Sequence, residues 1–345
     1  MSLDNLPIVS VVMPVRNEAG FIVRTMEGLL AQDYPADRIE IIVADGMSDD
    51  KTREILAEYM GRFPQVRMLD NPSRIASAGL NMAIATAKGE IISRIDGHSE
   101  IAPDFLRQNV QLLLEHPEAW SVGGPIVHSG RNTFAKAAAI AMAHPCGVGL
   151  ATHRFSDYEG YVEGAQFPAL RRWVFDRVGN FDEALVRNQD DELNYRITQA
   201  GGKIYVSPKV RYVYFVRERL DQLFRQYFQY AFWRIPMIRK HRRPTTLRQV
   251  IPPLFFLMML VLFVTGSVLR QPLVAMLLPI VYVMVLLAVA LSFVPKAGLK
   301  VASLVPAAIA TMHIGYALGF AYGLCAVLAW PQAWVQSGAM SRLSR

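Results

Sequence analysis

The last carboxylate in this chain is Asp221, and the 124 residues after it contain neither Asp nor Glu. From Gln249 to Met340 the only charged side chains are Arg270, Lys296 and Lys300. A water-soluble domain needs charge on its surface, and this region has almost none to offer. Three apolar stretches, 250–269, 272–294 and 301–330, each reach the ~20 residues that carry a helix across ~30 Å of hydrocarbon. Residues 249–345 therefore read as a transmembrane domain of about three helices. Lys296 and Lys300, between the second and third stretches, suit a cytoplasmic loop.

The whole chain has 345 residues, 52% of them hydrophobic and 19% charged, which excludes a disordered protein and suggests more than one domain. Its net charge of +7 is concentrated between Arg217 and Arg248, where nine Lys or Arg face two acids. A basic run beside apolar spans reads as an anchor to anionic headgroups on the cytoplasmic side. Nucleic acid is the rival partner for such charge. The run adjoins membrane spans and the N-terminal part has no basic stripe, so no nucleic-acid partner is expected. Within 217–248, Leu220, Leu223, Phe224, Tyr227, Phe228, Ala231 and Phe232 follow helical spacing with Arg219, Arg225 and Arg234 between them. This predicts a basic amphipathic helix in the membrane interface, with a helix packed on the soluble domain as the alternative. Cys146 and Cys325 are too far apart for a metal motif and imply no disulfide framework. The segment MSLDNLPIVSVVMP has no charged stretch leading into a sustained apolar run, so no signal peptide is expected there.

Residues 1–216 alternate strand and helix patterns. Ile8–Met13, Ile39–Ala44, Val66–Leu69 and Ile91–Ile95 read as buried strands; 18–30, Thr52–Met60 and Ala76–Ala87 read as helices. That order predicts an α/β fold with right-handed βαβ units and a mainly parallel sheet. Ligands then sit beyond the carboxyl ends of the strands, so the residues just after each strand carry the interest.

Four segments stand at such places. Pro14-Val15-Arg16-Asn17-Glu18 follows strand one and opens a helix, where amides and polar side chains grip a base or ribose, or simply cap the helix. Ala44-Asp45-Gly46-Met47-Ser48-Asp49-Asp50 follows strand two; Asp45 could accept from a uracil N–H, or the segment is a plain turn, and Asp49 reads as a helix cap. Asp96-Gly97-His98 follows the strand Ile91–Ile95 and offers two ligands for a divalent cation on a diphosphate, the imidazole softening the site toward Mn2+ relative to a pair of carboxylates. Arg187–Glu192 opens a helix: Asn188 reads as its cap, and Asp190 and Asp191 lie where the helix dipole favours ionised carboxylates, hence candidate general bases. Glu192 and Arg196 form an i, i+4 pair assigned to structure.

In order and spacing these segments resemble the family 2 glycosyltransferases of the GT-A fold. The family shows P-x-x-N-E, V-D-D-G-S-x-D, D-x-D, G-G-F-D-E and an E-D at a helix start. Here they are Pro14–Glu18, Val43–Asp49, Asp96–His98, Gly179-Asn180-Phe181-Asp182-Glu183 and Gln189-Asp190, with Asn71, Ala78 and Asn81 in a further shared stretch. Three positions depart. Ala44 replaces the first Asp after strand two, His98 the second Asp of D-x-D, and Gln189 the acid before the base. The D-x-H form is also that of mucin-type GalNAc-transferases, and the change at Gln189 moves the base to Asp190, with Asp191 second. The Q-x-x-R-W of processive synthases is absent from Gln229-Tyr230-Ala231-Phe232-Trp233-Arg234, so a pore-forming polymerase is not expected.

The resemblance implies catalytic Asp190 or Asp191; nucleotide contacts at Pro14, Val15, Arg16, Asn17, Glu18, Asp45, Arg74, Asp96 and Gly97; and Mg2+ or Mn2+ on Asp96 and His98. Val162–Ala165, Arg187–Arg196 and Gln226–Tyr230, followed by a few spans, resemble the bacterial exopolysaccharide group of succinoglycan-type glucosyltransferases. That group implies acceptor contacts at Glu163, Gly164, Ala165, Gln226, Gln229, Trp233 and Arg234. It also implies a UDP-sugar donor (UDP-glucose), a polyprenyl-diphosphate-linked saccharide acceptor, an inverting reaction giving a β-linkage of the 1,3 type, and a multi-pass protein of the bacterial inner membrane with its catalytic domain cytoplasmic. The alternatives are a polyprenyl-phosphate glycosyltransferase, which needs no deprotonating base, and a non-catalytic membrane subunit that binds nucleotide-sugar or lipid.

Overall fold

The structure, a computed structural model, describes residues 6–149 and 151–329. It divides into two compact units, Met1–Val127 with Thr152–Tyr214 and His128–Ala151 with Phe215–Arg345. The sequence division at 216 and 248 differs in two ways. Residues 128–151 belong with the second unit, and so does the basic helix after 217.

In chain order the first elements are β1 (Val9–Val15), α1 (Ile22–Leu30), β2 (Ile39–Asp45), α2 (Thr52–Arg62), β3 (Val66–Asp70), α3 (Ala76–Thr86) and β4 (Ile91–Arg94). Then come β5 (Glu100–Ile101), α4 (Phe105–Glu115), β6 (Ala119–Gly124), β7 (Val127–Ser129), α5 (Thr133–Ala143) and α6 (Pro145–Val148). The first unit resumes with β8 (Gly160–Val162), β9 (Gln166–Arg171), α7 (Trp173–Val178), α8 (Gln189–Gln199), β10 (Lys203–Val206) and β11 (Tyr212–Phe215).

Eight strands form one sheet in the order β3-β2-β1-β4-β9-β6-β10-β8. β1 runs parallel to β2 and β4, β2 to β3, and β6 to β10, whereas β9 is inserted antiparallel between β4 and β6. The sheet is covered on both faces. One core holds Val11, Met13, Ile41, Val43 and Ile95 with α1 and α4; the other holds Val12, Ile42 and Ile92 with Leu80 of α3 and Leu193 and Ile197 of α8. Burial on both faces is why these strands read as continuous apolar runs.

β1 does not stop at Pro14, as its sequence suggests, but continues to Val15. The carbonyl of Val12 accepts from Ile95 on the β4 side and that of Val15 from Gly46 on the β2 side, so Pro14 faces β4. The β1–β4 register ends at Val12 and Arg94, and the missing proline N–H is not needed there. α1 begins later than its pattern predicts, at Ile22 instead of Glu18, because the amides of Glu18 and Ala19 donate to Thr52 and Asp50 across the crevice. Its buried face is Ile22, Thr25, Met26 and Leu29, while Phe21 is exposed.

The second unit contains α9 (Leu220–His241), α10 (Ile251–Val268), α11 (Pro272–Ala297), α12 (Leu299–Ala302) and α13 (Val305–Ala329). Ile251–Val268, Pro272–Ala297 and Leu299–Ala329 are long and apolar enough to cross a membrane. At ~1.5 Å per residue, α10 is about 27 Å long and α11 about 39 Å, against a hydrocarbon core of ~30 Å. The third stretch is not one helix: α12 ends at Ala302 and α13 starts at Val305. Its expected end at Trp330, and the rest of the expected domain to 345, lie outside the described residues.

The expectation for α9 needs correction. Its apolar side is not free to lie on lipid, because Leu223, Tyr227, Ala231 and Phe232 are buried and the helix packs along α13. The seam is made by glycines. A Cβ on Gly315 would come within 2.9 Å of the Phe224 carbonyl, one on Gly323 within 3.2 Å of the Phe232 carbonyl, and one on Gly319 would overlap that of Phe228. Small residues spaced by four let two helix backbones meet, with Phe224, Phe228 and Phe232 straddling the seam.

Candidate active site

β1 and β4 are neighbours in the sheet, yet the chain leaves β1 toward β2 and returns on the other side to make β4. A reversal of this kind opens a crevice beyond the strand ends. The segments after β1, β2 and β4 meet there.

The first two are stitched together. The amide of Asn17 donates to Ser48 Oγ at 2.9 Å, and the amide of Asp49 to Asn17 Oδ1 at 3.0 Å. Glu18 N donates to Thr52 Oγ1 at 2.8 Å and Ala19 N to Asp50 Oδ2 at 3.1 Å. Asn17 and Met47 both take left-handed backbone (φ 57°), which turns their side chains out of the strand directions. Asp50, not Asp49, holds the start of α2, accepting from the Thr52 amide at 2.9 Å. Desolvation opposes its charge, but the Thr52 and Ala19 donors together prevail and keep Asp50 below the usual carboxylate range.

Asp45, expected to contact the nucleotide, turns its carboxylate into the loop. Its carboxylate is fully buried and accepts from the Ser48 amide at 3.0 Å, from Ser48 Oγ at 2.5 Å and from Arg53 at 2.5 Å. Arg53 also reaches Asp70 at 2.8 Å, and its bonds to Asp70 and Asp45 raise its pKa. Asp45 thus shapes the loop from beneath. Ala44, where the family pattern has an acid, is buried against α3: a Cβ on Gly79 would stand 3.1 Å from its own Cβ.

Val15 presents no side chain to the crevice. It is buried and packed on Gly97, where an added Cβ would come 2.8 Å from Val15 Cγ1 and 3.2 Å from Glu18 Cγ. The glycine in Asp96-Gly97-His98 is therefore required for this close approach. Glu18 faces His98, with Oε1 3.0 Å from Nδ1. A carboxylate on Nδ1 favours the tautomer whose Nε2 keeps its lone pair, the arrangement typical of a metal-ligating histidine. Asp96 has its own amide bonded to Ser99 Oγ at 3.2 Å and remains partly exposed. No group of three or more His, Cys, Asp or Glu able to hold a metal occurs among the described residues. Asp96 and His98 suit a cation that takes its remaining ligands from a diphosphate and water. Arg16 is half-buried, while Arg74 is exposed and left-handed (φ 58°).

The residue that ties the site together was not legible as functional. Arg94, on β4, is only 6% exposed. It shares a strand face with Ile92, which packs toward α8. Its guanidinium reaches both oxygens of Asp96, at 3.1 and 3.4 Å, and Oδ2 of Asp190 at 3.3 Å. Burial works against its charge, but Asp96 and Asp190 outweigh it and the pKa is raised, so Arg94 stays a cation. One signal was available: an arginine inside the buried strand Ile91–Ile95, two residues before Asp96.

α8 presents Asp190. Its Oδ1 accepts from the Asp191 amide at 2.9 Å while Oδ2 takes Arg94, whereas Asp191 is exposed. Asn188 enters the helix left-handed (φ 61°) and makes no side-chain cap, contrary to expectation. The Gly179–Glu183 segment acts as a brace. Asn81 accepts from the Phe181 amide at 2.9 Å and donates to the Phe181 carbonyl at 2.9 Å and to Glu183 at 2.8 Å. Arg196 binds the carbonyls of Gly179 at 2.9 Å and Asn180 at 2.6 Å and pairs with the fully buried Glu192, as its spacing predicts.

The expected acceptor residues separate. Gly164 sits against α8, where an added Cβ would be 2.6 Å from Asn194 Nδ2, with Glu163 exposed and Ala165 buried beside it. Gln226, Gln229, Trp233 and Arg234 belong to the second unit and are 4–7% exposed. Gln226 donates to the Tyr230 hydroxyl at 3.0 Å and Arg234 to the Met237 sulfur at 3.3 Å, so these four present almost no surface to an acceptor.

Residues 10–172 match the family model described as glycosyl transferase family 2. The chain is 36% identical over 256 residues to the succinoglycan biosynthesis protein ExoA of Rhizobium meliloti, covering 73% of this chain and 77% of that protein. It is 26% identical over 266 residues (75% and 82% of the two chains) to a dolichyl N-acetyl-α-D-glucosaminyl phosphate 3-β-D-2,3-diacetamido-2,3-dideoxy-β-D-glucuronosyltransferase of Methanococcus voltae. Among solved structures, the mannosyltransferase PcManGT of Pyrobaculum calidifontis, in complex with GDP-Man and Mn2+, superposes with a TM-score of 0.59 at 18% identity, covering 91% of this chain and 88% of that one. The S. aureus TarS fragment 1–349 with UDP gives 0.51 at 17% identity, covering 94% and 92%. Both share the fold. With the crevice between β1 and β4 and the ordered motifs around it, these likenesses establish that the chain belongs to the family 2 glycosyltransferases, with a GT-A-like fold followed by helices able to span a membrane.

Proposed function

We propose that the protein transfers one hexose, read as glucose, from a UDP-sugar to a polyprenyl-diphosphate-linked saccharide, with inversion to a β-linkage and without processivity. The observation that carries this reading is Arg94, whose buried guanidinium bridges Asp96 and Asp190. A leaving-group carboxylate and a base carboxylate held by one side chain belong to one reaction centre.

The acceptor hydroxyl oxygen attacks C1 of the donor sugar as the bond from C1 to the diphosphate oxygen breaks. UDP departs with the electron pair, and the hydroxyl proton passes to Asp190. Its two fixed bonds, to Arg94 and the Asp191 amide, set the carboxylate plane before the acceptor arrives. Arg16, Asn17 and Arg74 at the crevice rim hold the nucleotide. A divalent cation, Mn2+ or Mg2+, on Asp96 and His98 would neutralise charge on the departing diphosphate. Glu163 and Gly164, beside α8, face the acceptor sugar.

The three long apolar stretches and the basic run 217–248 support a multi-pass protein of a bacterial inner membrane with the first unit cytoplasmic, where a lipid-linked acceptor presents its sugar. The relative named for succinoglycan biosynthesis supports an exopolysaccharide as the product class. The deciding experiment supplies purified protein with UDP-glucose, Mn2+ and a polyprenyl-diphosphate-linked sugar, and determines the anomeric configuration and number of sugars added. One β-linked glucose per acceptor is expected. Transfer to polyprenyl phosphate alone would move the protein to the lipid-phosphate class, and no transfer with any nucleotide-sugar would make it a binding subunit.

A further inference from the structure

Arg94 is a buried cation that the reaction above does not consume, and its placement creates a conflict. The carboxylate expected to receive a divalent metal, Asp96, already has both oxygens within 3.4 Å of the Arg94 guanidinium. The same guanidinium holds Asp190 at 3.3 Å, and its Nε has no partner among the described residues. Its side chain is 7% exposed, so it cannot swing into solvent when a second cation approaches. Asp190, its other carboxylate partner among the described residues, is at hand to take up the bond it gives up.

We propose that Arg94 is a positioning residue that competes with the metal for Asp96 and, when displaced from it, turns fully onto Asp190, so that loading the donor site orients the base. This rests on the metal-dependent reading of the site. The competition follows from charge: two cations cannot both sit close to one carboxylate in a half-buried site without repulsion. The orientation follows from geometry. One guanidinium nitrogen now serves both Asp96 oxygens and another makes a single 3.3 Å bond to Asp190; freed from Asp96, the guanidinium can turn both nitrogens onto the Asp190 carboxylate.

The two halves predict opposite signs for one substitution. In Arg94→Met the competitor is gone, so Mn2+ should bind the UDP-loaded protein at least threefold more tightly, measured by electron paramagnetic resonance of free Mn2+. The base loses its orientation, so kcat for transfer should fall at least tenfold with little change in the KM for UDP-sugar. Arg94→Lys keeps the charge but forms only a point contact. It should bind Mn2+ as native does and recover part of kcat. A residue with a purely structural role would weaken Mn2+ binding and kcat together in both variants, and that outcome overturns the proposal. Unchanged kcat in Arg94→Met overturns it as well. Should Arg94→Met fail to fold, Arg94→Lys decides: reduced kcat with native Mn2+ affinity upholds the proposal, and a parallel loss of both refutes it. If native protein with UDP binds no Mn2+, the metal reading itself has failed and the inference falls with it. If native binds Mn2+ but Arg94→Met binds it more weakly, only the inference fails.

Discussion

The loops at the β1–β4 crevice and the pair α9–α13 are both close approaches of backbone, made by opposite means. In the crevice, Asn17, Ser48, Asp50 and Thr52 fill the gap between two loops with side chains that bond to backbone amides. Along α13, glycines at 315, 319 and 323 leave the gap empty so that α9 can occupy it. Polar stitching fixes direction, because a hydrogen bond specifies where each amide points. Glycine seams fix distance only, and suit a region where apolar surface meets an apolar surround. The first kind of contact builds a site and the second builds a support.

Removing the base should show the largest effect, all of it in chemistry. Asp190→Asn should cut single-turnover transfer 10²–10⁴-fold, about 3–5 kcal/mol, with UDP affinity by calorimetry and the unfolding midpoint nearly unchanged. Near-normal transfer would take Asp190 out of the reaction. Gly319→Val tests the seam with the reverse signature. The new side chain overlaps the Phe228 carbonyl, so the second unit should lose about 3 kcal/mol in detergent unfolding, while UDP binding stays within twofold. A variant that unfolds like native would show that α9 and α13 are not held by this contact. His98→Ala leaves Glu18 without its partner and should lower transfer at least tenfold, about 1.4 kcal/mol, with a higher Mn2+ concentration needed for half-activity. Equal activity in excess chelator would end the metal reading. Asn81→Ala removes the brace beneath α8 and should cost about 1 kcal/mol of stability in the first unit. The smallest effect belongs to Asp191→Asn, within threefold of native, because Asp191 is exposed whereas Asp190 meets Arg94. A collapse confined to Asp191→Asn would exchange the roles of the two neighbours.

Legibility followed burial pattern. β1 to β4 were readable because each is a short, mainly β-branched or apolar stretch closed by Pro, Gly or Asp, and the alternation with helices implied a mainly parallel sheet. β9 was not, since an antiparallel strand inserted between β4 and β6 leaves no mark of its direction in Gln166–Arg171. The grouping of 128–151 with the second unit was equally hidden: Thr133–Ala143 is an Ala-rich helix, and nothing in its composition names α13 as its neighbour. At the site, the positions of Asn17, Asp96, His98 and Asp190 at strand and helix ends were readable from spacing. The direction of each carboxylate was not. Asp45 turns inward to Ser48 and Arg53, and Glu18 turns to His98.

The sequence alone determined the alternation of elements, the carboxylate-free region and the strand ends where chemistry sits, because periodicity and charge are local properties of the chain. Tertiary structure alone decided which of several nearby carboxylates faces the crevice and which is spent on a loop, and it placed Arg94 between Asp96 and Asp190, 96 residues apart from the second in the chain. It also decided that α9 lies along α13 instead of presenting a free apolar face. The physical reason is the same in each case. A side chain's partner is set by whatever the fold brings within about 3 Å, whether a near neighbour such as Ser48 for Asp45 or a distant one such as Asp190 for Arg94.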